Sequence, residues 1–192
     1  YSDQGMIGAL TEPLEAGRIQ FFCIDSVDGE SWYNKGIHPA AKVIRHMQYE
    51  SYVSEEVMPF LRGRNWSPRI GVTGCSFGAY HAVNYALKNP DVITDCVSMS
   101  GAFDIRQFLN GYYDDNCYFN NPVDFIPGLN NPLIWQRHLV LAAGDWDICL
   151  GDNYRLAQLL GTRNIPHTLD VWGSHQKHDW PLWRQMARKF FA

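Results

Sequence analysis

The stretch Arg69-Ile70-Gly71-Val72-Thr73-Gly74-Cys75-Ser76-Phe77-Gly78-Ala79-Tyr80-His81-Ala82-Val83-Asn84-Tyr85-Ala86-Leu87-Lys88-Asn89-Pro90 decides the fold. Arg69–Thr73 reads as a short buried strand. Ala79, Ala82, Val83, Ala86 and Leu87 then keep helical spacing until Asn89-Pro90 stops the helix. Between them lies Gly74-Cys75-Ser76-Phe77-Gly78, a G-x-S-x-G turn. A serine on a sharp strand-to-helix turn is strained, and the flanking glycines let strand and helix approach without side-chain clashes. The helix N-terminus faces the same space, so the backbone N–H of Phe77 can stabilise an oxyanion there. The competing reading is a glycine-rich turn whose serine does no chemistry.

Outward from this turn, short apolar runs alternate with helical patterns. Ile19–Ile24 is expected to be a strand, followed by a polar loop from Asp25 to Asn34. Tyr49, Tyr52, Val53, Val57, Phe60 and Leu61 share one helical face, with a kink expected at Pro59. Cys96–Met99, His138–Ala143 and Thr168–Trp172 supply further strands. Asp152 or Asn153 is expected to cap a helix carrying Leu156, Leu159 and Leu160 and ending at Gly161; a last helix starts near Asp179 and runs from Pro181 to Phe190. Strands that alternate with helices predict an α/β fold with a mostly parallel sheet and helices on both faces. The exception is residues 101–132, long, aromatic and rich in Asn, Asp and Pro, expected as a cap-like insert in one domain covering 1–192.

With 192 residues, 46% hydrophobic and 19% charged, the chain is long enough for one continuous core. A formal charge of −4 without a Lys/Arg cluster gives nucleic acid or an anionic membrane no electrostatic footprint. No apolar run approaches the roughly 18–20 residues that span a bilayer. Cys23, Cys75, Cys96, Cys117 and Cys149 are odd in number and show no C-x-x-C pair, which argues against a disulfide framework or zinc site. Their pattern favours a reducing compartment, and a cytoplasmic location is the expectation.

A serine hydroxyl needs a base to take its proton. His38 and His46 read as surface residues, His81 lies on the helix after the turn, and His138 and His167 sit where strands begin. Only His175 and His178 follow the last strand, where the base belongs in the chain order Ser, acid, His. His178 is favoured because Asp179-Trp180-Pro181 starts a helix that fixes its loop; His175 is the alternative. The turn Gly144-Asp145-Trp146-Asp147 supplies the acid, with Asp147 favoured, Asp145 the alternative and Asp104 the next place to look. The acid not used would cap a helix or bond to loop amides. An H-x-x-H metal pair lacks a third ligand at suitable spacing, so a metal site is not expected there.

These residues resemble an esterase family of α/β-hydrolases that includes S-formylglutathione hydrolases, feruloyl esterases and the antigen 85 mycolyltransferases. The resemblance rests on Gly74–Gly78, the Gly144-x-x-Asp147 turn, and His178-Asp179-Trp180-Pro181-Leu182-Trp183, which is similar to an H-x-W-x-x-W ending. Ser26 to Tyr33 and Ser100-Gly101-Ala102-Phe103-Asp104 look like two further family segments, so it covers about Ile19 to Ala192. It implies an α/β-hydrolase fold and hydrolysis of a small carboxylic ester or thioester through an acyl-serine on Ser76, without metal or organic cofactor. Acyl transfer by the same triad and a non-catalytic binding role are the alternatives. Ser26, Trp32, Tyr112 and Tyr113 are expected near the substrate, with core filling as the competing reading for the aromatics. The family's strand and loop that supply the second oxyanion donor would precede Tyr1. The expectation is therefore a sheet lacking N-terminal strands, with an exposed edge open to self-association.

Overall fold

The computed structural model describes residues 1–191. Four strands, β1 (Gly71–Cys75), β2 (Asp95–Met99), β3 (His138–Gly144) and β4 (His167–Trp172), form one sheet in the order β1-β2-β3-β4. All three pairings are parallel, with Cys75 opposite Met99 and Met99 opposite Ala142. The four strand expectations from Arg69 onward agree with these elements to within two residues. The carboxyl ends therefore line up along one edge of the sheet, and each feeds a loop into the same space.

Strands in sequential order send crossovers that obey the right-handed rule over one face. Helix Phe77–Lys88, the segment between β2 and β3, and helix Leu150–Thr162 pack together in the larger core, with Cys96, Leu139 and Leu141 pointing into it. The intervening strand residues Val97, Met99 and Ala142 point the other way, onto Met6, Leu10 and the final helix Trp180–Phe191. This period of two buries the sheet on both sides. Residues 101–132 hold short helical turns rather than open loop, and Phe103, Ile105, Leu109, Val123, Phe125 and Ile126 are buried in the main core.

Three local expectations are corrected. Ile19–Ile24 forms no strand, which leaves β1 at the sheet edge. Phe21 stacks on Tyr1 and meets Phe191, while Phe22 meets Phe60. The side chains alternate as in a strand, but a cavity of about 540 Å³, lined by 20–26 on one side and Gly71–Thr73 on the other, takes the place of a ladder. Second, helix Leu150–Thr162 has Cys149 at its N-cap without a side-chain bond; Asp152 lies inside it and accepts from the Phe103 N–H instead. Third, His46 is only 1% exposed, held by Glu50 one turn along its own helix and by Tyr80 and Asn84, which packing brings to it.

Pro59 does not break its helix. Helix Pro39–Tyr52 runs through a π-turn at Val53–Val57 into Met58–Arg64, and the Met58 N–H reaches back to the Val53 carbonyl. A proline has no N–H to continue the regular ladder, and a widened turn just before it absorbs the mismatch. Among the described residues, no helix is long and apolar enough to cross a membrane, and the five cysteines are unpaired.

Candidate active site

At the end of β1 the chain turns at Ser76, whose φ of 53° and ψ of −121° lie outside the regions L-residues favour. Its N–H donates to the Met99 carbonyl at 2.8 Å, which ties the turn to β2. Close approach makes the turn possible: a Cβ on Gly74 would stand 2.1 Å from the Gly78 carbonyl oxygen. Gly78 differs, since a Cβ there meets nothing within 4 Å. Only the first glycine of the motif is demanded by sterics.

Two further carboxyl-end loops converge on this serine. The His178 Nε2 lies 2.8 Å from Ser76 Oγ, and its Nδ1 lies 2.8 Å from Asp147 Oδ1. Asp147 Oδ1 also accepts from the Cys149 N–H at 2.8 Å. With Nδ1–H donated to the carboxylate, Nε2 is left as the acceptor for the serine proton. The Asp147 side chain is fully buried. Burial opposes its ionisation, yet the influence of His178, Ser100 and the Cys149 N–H together holds its carboxyl below the ordinary value. The edge of Trp183 meets the His178 ring, with centroids 5.0 Å apart.

Asp145, the competing acid, is occupied elsewhere: it accepts from the backbone N–H groups of His175 and Gln176. His175, the competing base, packs its ring against Trp146 at 4.1 Å. The loop lies hard against β3, because a Cβ on Gly144 would stand 2.2 Å from the Gln176 carbonyl oxygen. Phe77 begins its helix with Ser76 at the N-cap, so its N–H has no intrahelical acceptor and lies next to Ser76. Asp104 is engaged with Arg106 and Arg155.

The remaining expected residues are spread out. Ser26 donates to Asp28, which in turn pairs with His81, and both line the large cavity beside β1. Trp32 is 1% exposed, packed among His46, Phe77, Tyr80 and Phe108, which leaves its ring no face for a ligand. Its neighbour Tyr33, 51% exposed and close to Phe77 and Phe108, is the aromatic that opens outward. Tyr112 bonds to Asp114 and Tyr113 to Asp124; with Arg106 and Tyr118 they line a separate cleft whose lining includes none of Ser76, Asp147 and His178.

Asp147, Cys149 and His178 also place potential metal-binding atoms within 4.8 Å of one another. Burial, with Asp147 and Asp152 nearby, pushes the Cys149 thiol up to about 12, so it keeps its proton. The carboxylate and imidazole already engage each other through Oδ1 and Nδ1, and the donor set fits a hydrogen-bonded relay rather than a metal. Ser100 and Trp183 are the side chains that sequence reasoning left without a role. Their only signal was membership of the segments on which the family resemblance rests.

A parallel sheet with a serine turn after one strand and an acid and a histidine after two later ones defines an α/β-hydrolase fold. Residues 23–189 match the family described as "Putative esterase", and the chain belongs to that family. No curated protein matches it in sequence. Among solved structures, it is similar to a ferulic acid esterase at 18% identity and a TM-score of 0.61, over 73% of this chain and 57% of that one. An S-formylglutathione hydrolase from Agrobacterium tumefaciens gives 17% identity and a TM-score of 0.63, over 82% and 60%. One from Staphylococcus aureus gives 18% and 0.57, over 79% and 63%. The chain thus spans about three fifths of the length of these structures, and identities this low speak for the fold alone.

Proposed function

We propose that this chain hydrolyses small carboxylic esters or thioesters through an acyl-serine intermediate. The observation that carries the reading is the unbroken relay from Asp147 through His178 to Ser76, both links at 2.8 Å, placed at the N-terminus of helix Phe77–Lys88. Ser76 Oγ attacks the acyl carbon while His178 Nε2 takes its proton. The tetrahedral oxyanion forms beside the Phe77 N–H, where the helix dipole favours negative charge. His178 then returns the proton to the departing alcohol or thiol, leaving the acyl group on Ser76. Water, deprotonated by the same imidazole, releases the acid and restores the serine. Asp147 keeps Nδ1 protonated and balances the charge on the imidazolium throughout.

The direct test is a panel of p-nitrophenyl esters of increasing acyl length, run beside a feruloyl ester and an acyl-glutathione. Hydrolysis of at least one, together with stoichiometric fluorophosphonate labelling lost in Ser76→Ala, is the expected result. A folded protein that is inert to the whole panel and to the fluorophosphonate would overturn the reading. Products that incorporate an added alcohol would instead assign acyl transfer to the same serine.

A further inference from the structure

The carboxylate of Asp147 is unevenly served. Its Oδ1 receives both the His178 ring and the Cys149 N–H, whereas its buried Oδ2 has no donor within hydrogen-bond geometry. A buried carboxylate oxygen without a donor is costly and calls for a partner. Ser100 is the candidate at hand. It is fully buried at the end of β2, and its Oγ accepts the Trp183 indole N–H at 2.7 Å. An indole nitrogen only donates, so the serine hydroxyl keeps its own proton to give. Among the groups that act on Asp147 against the cost of burial, Ser100 is one that favours the ionised form.

The backbone adds a second observation. Ser100 has a φ of 56°, a conformation suited to glycine, and its N–H donates to the Ala142 carbonyl at 2.7 Å. Ser76, one strand over, also has a positive φ, and strained backbone of this kind clusters at active sites. Trp183 reaches the relay at two points, donating to Ser100 and packing edge-on against the His178 ring.

We infer that Ser100 and Trp183 are positioning residues of the triad: the Trp183 N–H fixes the Ser100 hydroxyl so that its proton is delivered to Asp147 Oδ2, locking the carboxylate plane that orients His178. The inference rests on the triad reading above and adds two residues to it. Losing the lock lets the carboxylate rotate, and small misplacements of an orienting group reduce turnover rather than substrate binding.

The test measures kcat and KM for Ser100→Ala, Ser100→Gly and Trp183→Phe, each also combined with Asp147→Asn. The glycine variant relieves the positive φ and keeps the experiment sound if the alanine variant does not fold. Each single change is expected to lower kcat by about tenfold to a hundredfold with KM within about twofold. In the Asp147→Asn background the same changes should cost less than about twofold, because no carboxylate remains to be held. A merely structural role would cost as much in either background. Wild-type kcat in Ser100→Gly and Trp183→Phe, or equal losses in both backgrounds, would overturn the inference while leaving the triad in place. If Ser76→Ala and Asp147→Asn themselves retain activity, the triad reading fails instead.

Discussion

Asp145 and Asp147 share one turn after β3 and grip the same loop at different points: Asp145 holds the backbone N–H groups of His175 and Gln176, and Asp147 holds the ring of His178. Two carboxylates of equal intrinsic chemistry are separated by what they face. One faces the backbone of the loop and the other the ring of its histidine.

Asp147→Asn is therefore expected to lower kcat by about 10³–10⁴-fold with little change in fold, since an amide cannot hold the imidazole with Nε2 free to accept. Asp145→Asn should lower kcat less than about tenfold but lower the melting temperature, because two charge-assisted bonds to the loop weaken. Steady-state kinetics and thermal melts on the two variants separate the roles. Equal kinetic losses would mean that the loop path, not the tautomer, is what Asp147 controls.

Ser76→Ala and His178→Ala should each remove at least ~10³-fold of kcat, and the double variant should be no worse than either alone. In the proposed mechanism nucleophile and base act as a unit, so the second removal takes away nothing that still works. His175→Ala should cost far less, since that ring packs on Trp146 and not on the relay. Losses that multiply in the double variant would show that the two groups act independently.

The strand-to-helix turn at Ser76 was legible in the sequence because it is local. Glycine demand, helical spacing and the stop at Asn89-Pro90 act within a few residues of one another. Ile19–Ile24 was misread because strand formation is a property of a pair: the side chains alternate correctly, yet no neighbour closes the ladder. His46 was misread for a related reason, since Tyr80 and Asn84 reach it from a helix more than thirty residues away. The Trp183–Ser100 bond joins residues 83 positions apart, and no spacing rule along the chain points to it.

The buried cluster around His46 predicts a stability profile that falls towards acid. Burial pulls the His46 pKa below its ordinary 6.5, with Glu50 working in the opposite sense and His81 and Lys88 in the same one. The unfolded chain thus binds this proton more readily, and stability drops as the pH falls below about 6.5. Glu50 is opposed by burial but held down to about 2 by His46 and Lys88, so it adds stability above its ordinary 4.5 that is lost as the pH falls from there towards 2. Urea unfolding at several pH values should show both declines. His46→Gln should flatten the upper one and Glu50→Gln the lower one; a profile unchanged in both variants would place the acid sensitivity elsewhere.

The two motif glycines give the sharpest contrast. At Gly74 any Cβ would stand 2.1 Å from the Gly78 carbonyl oxygen and 2.7 Å from the Ala79 nitrogen, both rigid backbone atoms at the start of a helix. Gly74→Ala must push the strand and helix apart or expel the turn, and overpacking of this kind costs about 1–3 kcal/mol or more. The displacement would also carry Ser76 away from His178, so activity should fall with stability. Gly78 sits inside helix Phe77–Lys88 with open space where its Cβ would be. Alanine there removes backbone freedom from the unfolded chain and is expected to stabilise by about 0.4–1 kcal/mol. Paired thermal melts decide the matter: a rise for Gly78→Ala beside a steep fall for Gly74→Ala is the expected outcome. A fall of similar size in both would mean that the helix start needs glycine for its backbone and not for the approach of the strand.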